Sequence, residues 1–592
     1  MSTRLTGRAA APGAALAPAF VIVPQPPIED DMPKVRSGTA EEETARLRTA
    51  LEGAEEQLRE LAHTIESTAG EDEAEIFEAH AEFAADPELA RLADQAIRDG
   101  ASAERAVVEA FGTFRELLVA SASEYLAARA ADLDDVRDRV VKILLGRSTA
   151  GQAPSVRSVI VAHELTPSQT ASIPVDVIAG IVTETGSPTS HAAILARALG
   201  IPAVVSCPGL LHAVGGGGAV VAVDGRTGGV VVGPDASERD AIRRRMGVEE
   251  RRREELVALR DEPGHTADGH RVELAANIGA IQHLPAAVEA GGEGSGLVRT
   301  EFLFLDRTTA PTVEEQVVFY AEVLRAFPGN RVVFRTLDVG ADKPLPFVER
   351  EPEENPALGL RGIRLSFQRP DLFRAQLRAL LRASAAVSGE EAGRLAIMFP
   401  LVSTARELVQ AGETLGRVAE EEGMDLADIE VGVMVEVPSA ALGAGRLAAH
   451  ADFLSIGTND LLQYLFAADR LIGAVADIAD VLEPDVLSLI RGVVQAGHAG
   501  GAWVGVCGEA AGDPTVAAAL VGLGIDELSM NRVAIPEVKD TLRRVTRGEC
   551  RQAVQAAIEG ANDATEARRI LEERLGTGLE ARPSDASTGS RG

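Results

Sequence analysis

The sequence predicts a multidomain α/β protein whose largest part is a (β/α)8 barrel, and three observations predict it. Residues 262–575 repeat a rhythm of short apolar runs separated by amphipathic stretches, and eight such runs can be counted. Residues 38–146 hold almost no proline and carry helical periodicity. Residues 150–235 alternate β-branched runs with glycine- and proline-bearing turns around one short helix, the pattern of a compact α/β unit.

The elements follow in chain order. Residues 1–30 carry turn signals and one β-prone run, Phe20-Val21-Ile22-Val23. Arg4 and Arg8 ahead of the apolar residues 9–23 imitate a secretion signal, but Pro12, Gly13 and Pro18 interrupt it and favour a strand. Leu47, Leu51, Ala54, Leu58, Leu61 and Ile65 then follow a 3-4-3-4 spacing, the seam of a bundled helix. A second long helical pattern runs from about Ser102 to Leu145, with breaks at Pro87 and Gly100. Strands are expected at 156–162, 177–182, 220–223 and 230–232, with a helix near 190–199. A polar connector helix covers about 236–260. The barrel strands are expected at 272–277, 296–299, 332–335, 395–399, 431–435, 453–456, 503–506 and 527–530.

At roughly 150 residues per domain, 592 residues make about four folding units. The formal net charge of −32 repels nucleic acid and anionic membranes and favours a basic protein partner. Cys207, Cys507 and Cys550 lie far apart, without C-x-x-C spacing. That argues against disulfides or a zinc site and for a reducing cytoplasm. No run reaches the length of a membrane span.

Barrel chemistry sits where strands end. Here those ends carry Arg299, Arg335, Glu436, Asn459 with Asp460, and Cys507. Guanidinium forks match phosphate and carboxylate, so arginines at two strand ends point to a small polyanionic substrate. Singly, each reads equally as a salt bridge. Glu436 and Asp460, on successive strands, make an oxygen-only magnesium site with substrate phosphate and waters. The competing reading is a buried carboxylate paired with arginine. Cys507 reads either as a small buried hydrophobe or as a proton donor. In Thr189-Ser190-His191, a hydroxyl residue caps a helix that Gly200 and Pro202 end. His191 then lies in the first turn, where the helix dipole keeps imidazole neutral and free amides can bind a phosphoryl group. A first-turn histidine bonded to a nearby carbonyl is the plain alternative. The glycine run 215–218 lacks the Lys-Ser/Thr of a P-loop and reads as a turn.

The segments TGSPTSHAAILARALGIPAVV, GLVRTEFLFLDR, FRTLDVGADKPLP, EENPALGLRGIRLSF, IMFPLVS, VGVMVEVPSA, FLSIGTNDLLQYLFAADR and VGVCGEAAGD occur in this order. Together they resemble Enzyme I of the bacterial phosphoenolpyruvate-dependent sugar phosphotransferase system. The resemblance implies a swivelling phosphohistidine α/β domain (residues 1–30 and 147–235) with an inserted α-helical bundle (31–146) that binds the carrier protein. It further implies a linker helix (236–261), a phosphoenolpyruvate-binding and dimerising (β/α)8 TIM-like barrel (262–575) and a disordered tail (576–592). It makes His191 the phosphorylated residue and Cys507 the acid that protonates the enolate. Arg299, Arg335, Asn459, Asp460 and Arg470 would bind phosphoenolpyruvate, Glu436 and Asp460 would hold Mg2+, and Lys343 and Arg361 would support the site. Phosphate would pass to the histidine phosphocarrier protein HPr at the start of sugar uptake, in a cytoplasmic homodimer without nucleic-acid or membrane binding. Two departures stand out: Ser187 replaces the family's usual second glycine before the histidine, and 471–477 lack its usual asparagine.

Overall fold

In the computed structural model the chain divides into two units, Met1–Arg253 and Glu254–Gly592. The structure describes residues 2–22, 32–33, 35–36, 38–68, 71–120, 124–147, 153–187, 190–305, 307–340, 345, 347–348, 353–387, 389, 392–469, 475 and 478–577. The tail expected at 576–592 lies outside them from 578 onward.

The first unit is built on an eight-stranded sheet. Its strands are β1 (Thr3–Thr6), β2 (Arg8–Ala11), β3 (Ala14–Val21), β4 (Ser158–Ala162), β5 (Ile178–Thr183), β6 (Ala203–Val205), β7 (Val220–Asp224) and β8 (Gly229–Val232). They lie in the order β1-β8-β7-β3-β4-β5-β6-β2. Two features differ from expectation. The N-terminal segment supplies three strands rather than one, because Pro18 does not end β3. Pro18 pairs with Val220, one residue before the parallel pairing with β4 begins at Ala19, so its missing N–H is not required on that side. The strand β6 is only three residues long and falls below any periodicity signal.

Between β3 and β4 the chain makes the helices Ala40–Thr68, Glu71–Ala85, Pro87–Arg98, Ala103–Ala120 and Glu124–Leu144. The expected seam is real: Leu47, Leu51, Ala54, Leu58 and Ile65 are buried, while Leu61 is only half-buried beside buried Ala62. Pro87 falls at the expected break: one helix ends at Ala85, Pro87 starts the next, and Asp86 caps it by accepting from the Glu88 and Leu89 amides.

The second unit is a closed parallel barrel. Its strands are β9 (Glu273–Ile278), β10 (Ser295–Val298), β11 (Arg331–Arg335), β12 (Arg394–Phe399), β13 (Glu430–Val435), β14 (Phe453–Ile456), β15 (Trp503–Val506) and β16 (Glu527–Met530). The pairing of β16 with β9 closes the ring. Both faces of each strand are covered, which is why the strands read as continuous apolar runs. Leu297, Val333, Ala396, Met398, Met434, Phe453 and Cys507 form one cluster. Their chain neighbours Val332, Phe334, Leu395, Ile397 and Phe399 join the layer shared with the helices. The division between the units falls within the helix Ala236–Ala258. No helix among the described residues is long and apolar enough to cross a membrane.

Candidate active site

The strand ends expected to carry chemistry do converge at the C-terminal mouth of the barrel. Arg335 closes β11 and is held by two carboxylates. Its Nη2 donates to Glu301 Oε1 at 3.1 Å, and its Nη1 lies 3.1 Å from Asp338 Oδ2. Arg361 is buried, and its Nη2 and Nε donate to Asp338 at 2.9 and 3.3 Å. Arg361 Nη1 reaches Asp460 Oδ1 at 3.4 Å and the Tyr464 hydroxyl at 3.3 Å. Arg299 follows β10, and its charge acts on Asp338.

Glu436 is the first residue after β13 and is fully buried. It accepts from the Leu401 N–H at 2.6 Å. Leu401 holds φ at +54°, a left-handed conformation that costs a branched residue about 1–2 kcal/mol. That backbone aims its amide at the carboxylate. Asn459 and Asp460 lie in the first turn of the helix Thr458–Phe466, directly behind β14. The Asn459 carboxamide is pinned to the loop after β15, donating to Glu509 Oε1 at 3.1 Å.

Asp338, Glu436 and Asp460 each offer a carboxylate oxygen, all within 4.8 Å of one another. Burial pushes the Glu436 carboxyl up, Asp460 and Asp338 add to that, and Arg335 and Arg361 oppose it. For Asp338 burial also acts upward, but Arg335 and Arg361 outweigh it and hold the group below the usual carboxylate range. A cluster of oxygen donors around a buried Glu436 that is disfavoured as an anion is what a hard divalent cation relieves. Both Asp338 oxygens already accept from Arg361, so Glu436 and Asp460 are the freer donors.

Cys507 follows β15 and faces the barrel interior. Burial pushes its thiol up to about 12, with the Glu436 charge adding to the effect, so it keeps its proton at neutral pH. A Cβ on the next residue, Gly508, would overlap the Thr458 hydroxyl and stand 2.8 Å from the Thr458 nitrogen. Only glycine lets the end of β15 lie against the helix that carries Asn459 and Asp460.

The other sequence candidate lies in the first unit. Ser190 caps the helix His191–Ala198, its hydroxyl accepting from the Ala193 N–H at 3.4 Å, and Gly200 follows with φ +65°. His191 is therefore the first helical residue. The loop before it is anchored by Thr185, whose hydroxyl donates to the His163 carbonyl at 2.9 Å, and by Ser206, whose hydroxyl donates to the Gly186 carbonyl. The His191 side chain lies outside the described residues, as do Lys343 and Arg470.

Three family descriptions match in chain order: PEP-utilising enzyme, N-terminal, over 6–129; mobile domain, over 155–228; and PEP-binding domain, over 253–547. The chain is 45% identical over 543 residues to the phosphoenolpyruvate-protein phosphotransferase of Streptomyces coelicolor, which covers 91% of this chain and 94% of that one. It is 40% identical over 567 residues to the protein of the same name from Staphylococcus carnosus, 95% of this chain and 97% of the other. With that of Haloferax volcanii it shares 43% identity over 532 residues, 89% and 92% of the two chains. The chain belongs to the phosphoenolpyruvate-protein phosphotransferase family.

Within this family member, the reading of strand ends finds Arg299, Arg335, Glu436, Asn459, Asp460 and Cys507, and the barrel brings them to one mouth. It misses Glu301, Asp338, Leu401 and Tyr464. Glu301 stands two residues past Arg299 and Asp338 three past Arg335. Looking one turn further along each strand-end loop would have exposed both carboxylates, though not their partners.

Proposed function

We propose that this chain takes the phosphoryl group of phosphoenolpyruvate onto His191, releases pyruvate, and hands the group to a small histidine phosphocarrier protein of the HPr kind. The observation that supports this most is the barrel mouth. An arginine clamp, a carboxylate cluster fit for a divalent cation and a protonated thiol stand together there.

In this reading Arg299, Arg335 and Arg470 neutralise the phosphate and carboxylate of the substrate, with Lys343 and Arg361 in support. Asn459 orients it. Glu436 and Asp460 would hold Mg2+, which supplies charge neutralisation at the phosphoryl oxygens. His191 Nε2 forms a bond to phosphorus as the bond from phosphorus to the enol oxygen breaks. The electron pair leaves with the enolate. Cys507 gives its proton to the terminal enolate carbon and yields pyruvate. His191 then passes the group to the carrier's histidine, one N–P bond forming as the other breaks. In this cycle His191 serves both the barrel mouth and the carrier, so the α/β domain moves between the two tasks, with the helix Ala236–Ala258 as linker.

The helical domain is the proposed docking site for the carrier, and the net charge of −32 favours a basic partner. Three buried free thiols suit a reducing cytoplasm. A homodimer through the barrel and a role in sugar uptake come from the family resemblance. The test is labelled phosphoenolpyruvate with magnesium: an acid-labile, base-stable label is expected on His191. Label taken up equally by His191→Ala would refute the reading.

A further inference from the structure

Two buried carboxylates at the barrel mouth touch arginines. Glu301 and Asp338 are each 8% exposed. Glu301 Oε1 accepts from Arg335 Nη2 at 3.1 Å and from the Asp338 N–H at 2.9 Å. Asp338 Oδ2 lies 3.1 Å from Arg335 Nη1 and accepts from Arg361 Nη2 at 2.9 Å, while its Oδ1 accepts from Arg361 Nε at 3.3 Å. Arg361 reaches on to Asp460. Opposite charges therefore alternate in the order Glu301, Arg335, Asp338, Arg361, Asp460. The series runs from the loop after β10, past β11, to the helix after β14.

We propose that Glu301 and Asp338 are positioning residues of the substrate clamp, fixing the guanidinium planes of Arg335 and Arg361 before the anion arrives. The proposal rests on the reading that this mouth binds phosphoenolpyruvate. Three observations carry it. First, a long arginine side chain loses rotamer freedom when it binds, and a carboxylate that grips it in advance removes that cost from binding. Secondly, without Glu301 and Asp338 the charges left acting on Arg335 would be those of Glu436 and Asp460. An arginine that swung onto them would compete with a cation. Thirdly, the grip leaves a donor over: Arg335 Nε is buried and has no hydrogen-bond partner among the described residues. An unpartnered buried N–H on a guanidinium whose plane is already fixed is poised for an incoming oxyanion. Asp338 lies within the carboxylate cluster, but both its oxygens already serve Arg361, so it acts on the arginines.

Glu301 makes the clean test because it stands outside the carboxylate cluster. The full-length His191→Ala protein serves as parent, since it lacks the phosphoryl acceptor and cannot turn bound substrate over. Calorimetric titration with phosphoenolpyruvate and Mg2+ should show Glu301→Ala weakened at least about tenfold, and Glu301→Gln, which keeps an accepting oxygen, within about threefold of the parent. Mn2+ affinity without substrate should stay unchanged in both. With His191 restored, KM should rise and kcat change little. Phosphoenolpyruvate binding by Glu301→Ala as tight as the parent's would overturn the positioning role while leaving the functional reading intact. A parent that binds none would overturn both. Should Glu301→Ala melt before it can be titrated, Asp338→Asn keeps the side-chain shape and loses the charge. An unchanged affinity there would equally overturn the proposal.

Discussion

Cys507 shows what one residue's surroundings decide. Its position after an apolar strand was legible, but how firmly it holds its proton was not. Burial in the barrel pushes the thiol up to about 12, so it holds its proton well past the pH at which an exposed thiol loses it. Cys507→Ala is expected to slow steady-state turnover by about 10²-fold while leaving phosphoenolpyruvate binding intact. Undiminished turnover would remove its role as proton donor. Cys550 is buried too, and burial lifts its thiol from 9.0 to about 12. A thiol raised in the fold holds a proton that the unfolded chain gives up. Its contribution to stability is therefore full below pH 9.0 and lost as the pH climbs toward about 12. Denaturant titrations should show stability falling above that lower value, and the fall should be shallower in Cys550→Ala. Glu301 and Asp338 mark the limit of reading residues singly: each looks like an ordinary loop acid until its arginine is seen.

At the scale of elements, the barrel strands were the most legible part, because strands covered on both faces advertise themselves as unbroken apolar runs. The same strands hold a second charged group at their starts. Arg331 opens β11 and bonds Glu430 of β13 at 2.6 Å and Glu273 of β9 at 2.9 Å, and it lies 4.1 Å over the Trp503 ring. Glu527 of β16 is buried beside it, 3.7 Å from Arg331. Burial, with the charge of Glu273, pushes the Glu527 carboxyl up to about 8. Its raised value means that stability present below the ordinary 4.5 is lost as pH rises toward about 8. Glu527→Gln mimics the protonated form, so its melting temperature relative to the wild type should climb between those two pH values. A difference that does not vary with pH would contradict this. Gly508 ties two elements together. Gly508→Ala should cost about 1–3 kcal/mol in unfolding free energy and reduce turnover, because the Cβ forces β15 away from Thr458. The N-terminal strands were read poorly, since only the run 20–23 stood out as β-prone and only the sheet shows which side needs the N–H that Pro18 lacks.

For the whole molecule, two units with separate cores should unfold as separable events. Scanning calorimetry is expected to show two transitions, with phosphoenolpyruvate and Mg2+ raising only the barrel's. At a hundred times Kd that stabilisation is about 2.7 kcal/mol. A single transition, or a shift in the first unit, would count against the assignment of substrate to the barrel. By itself the sequence determined the division into helical, α/β and barrel zones, the eight barrel strands, the capped helix at His191 and the residues at each strand end. Those are local facts, set by side-chain period and by capping and turn chemistry. Only the tertiary structure decided which of those groups meet. Arg361 and Asp460 are 99 residues apart, and Glu301 and Arg335 are separated by 34, yet they share one mouth because β16 pairs with β9 and closes the ring. Burial likewise exists only after closure, and it is burial that raises the Cys507 thiol and the Glu436 carboxyl.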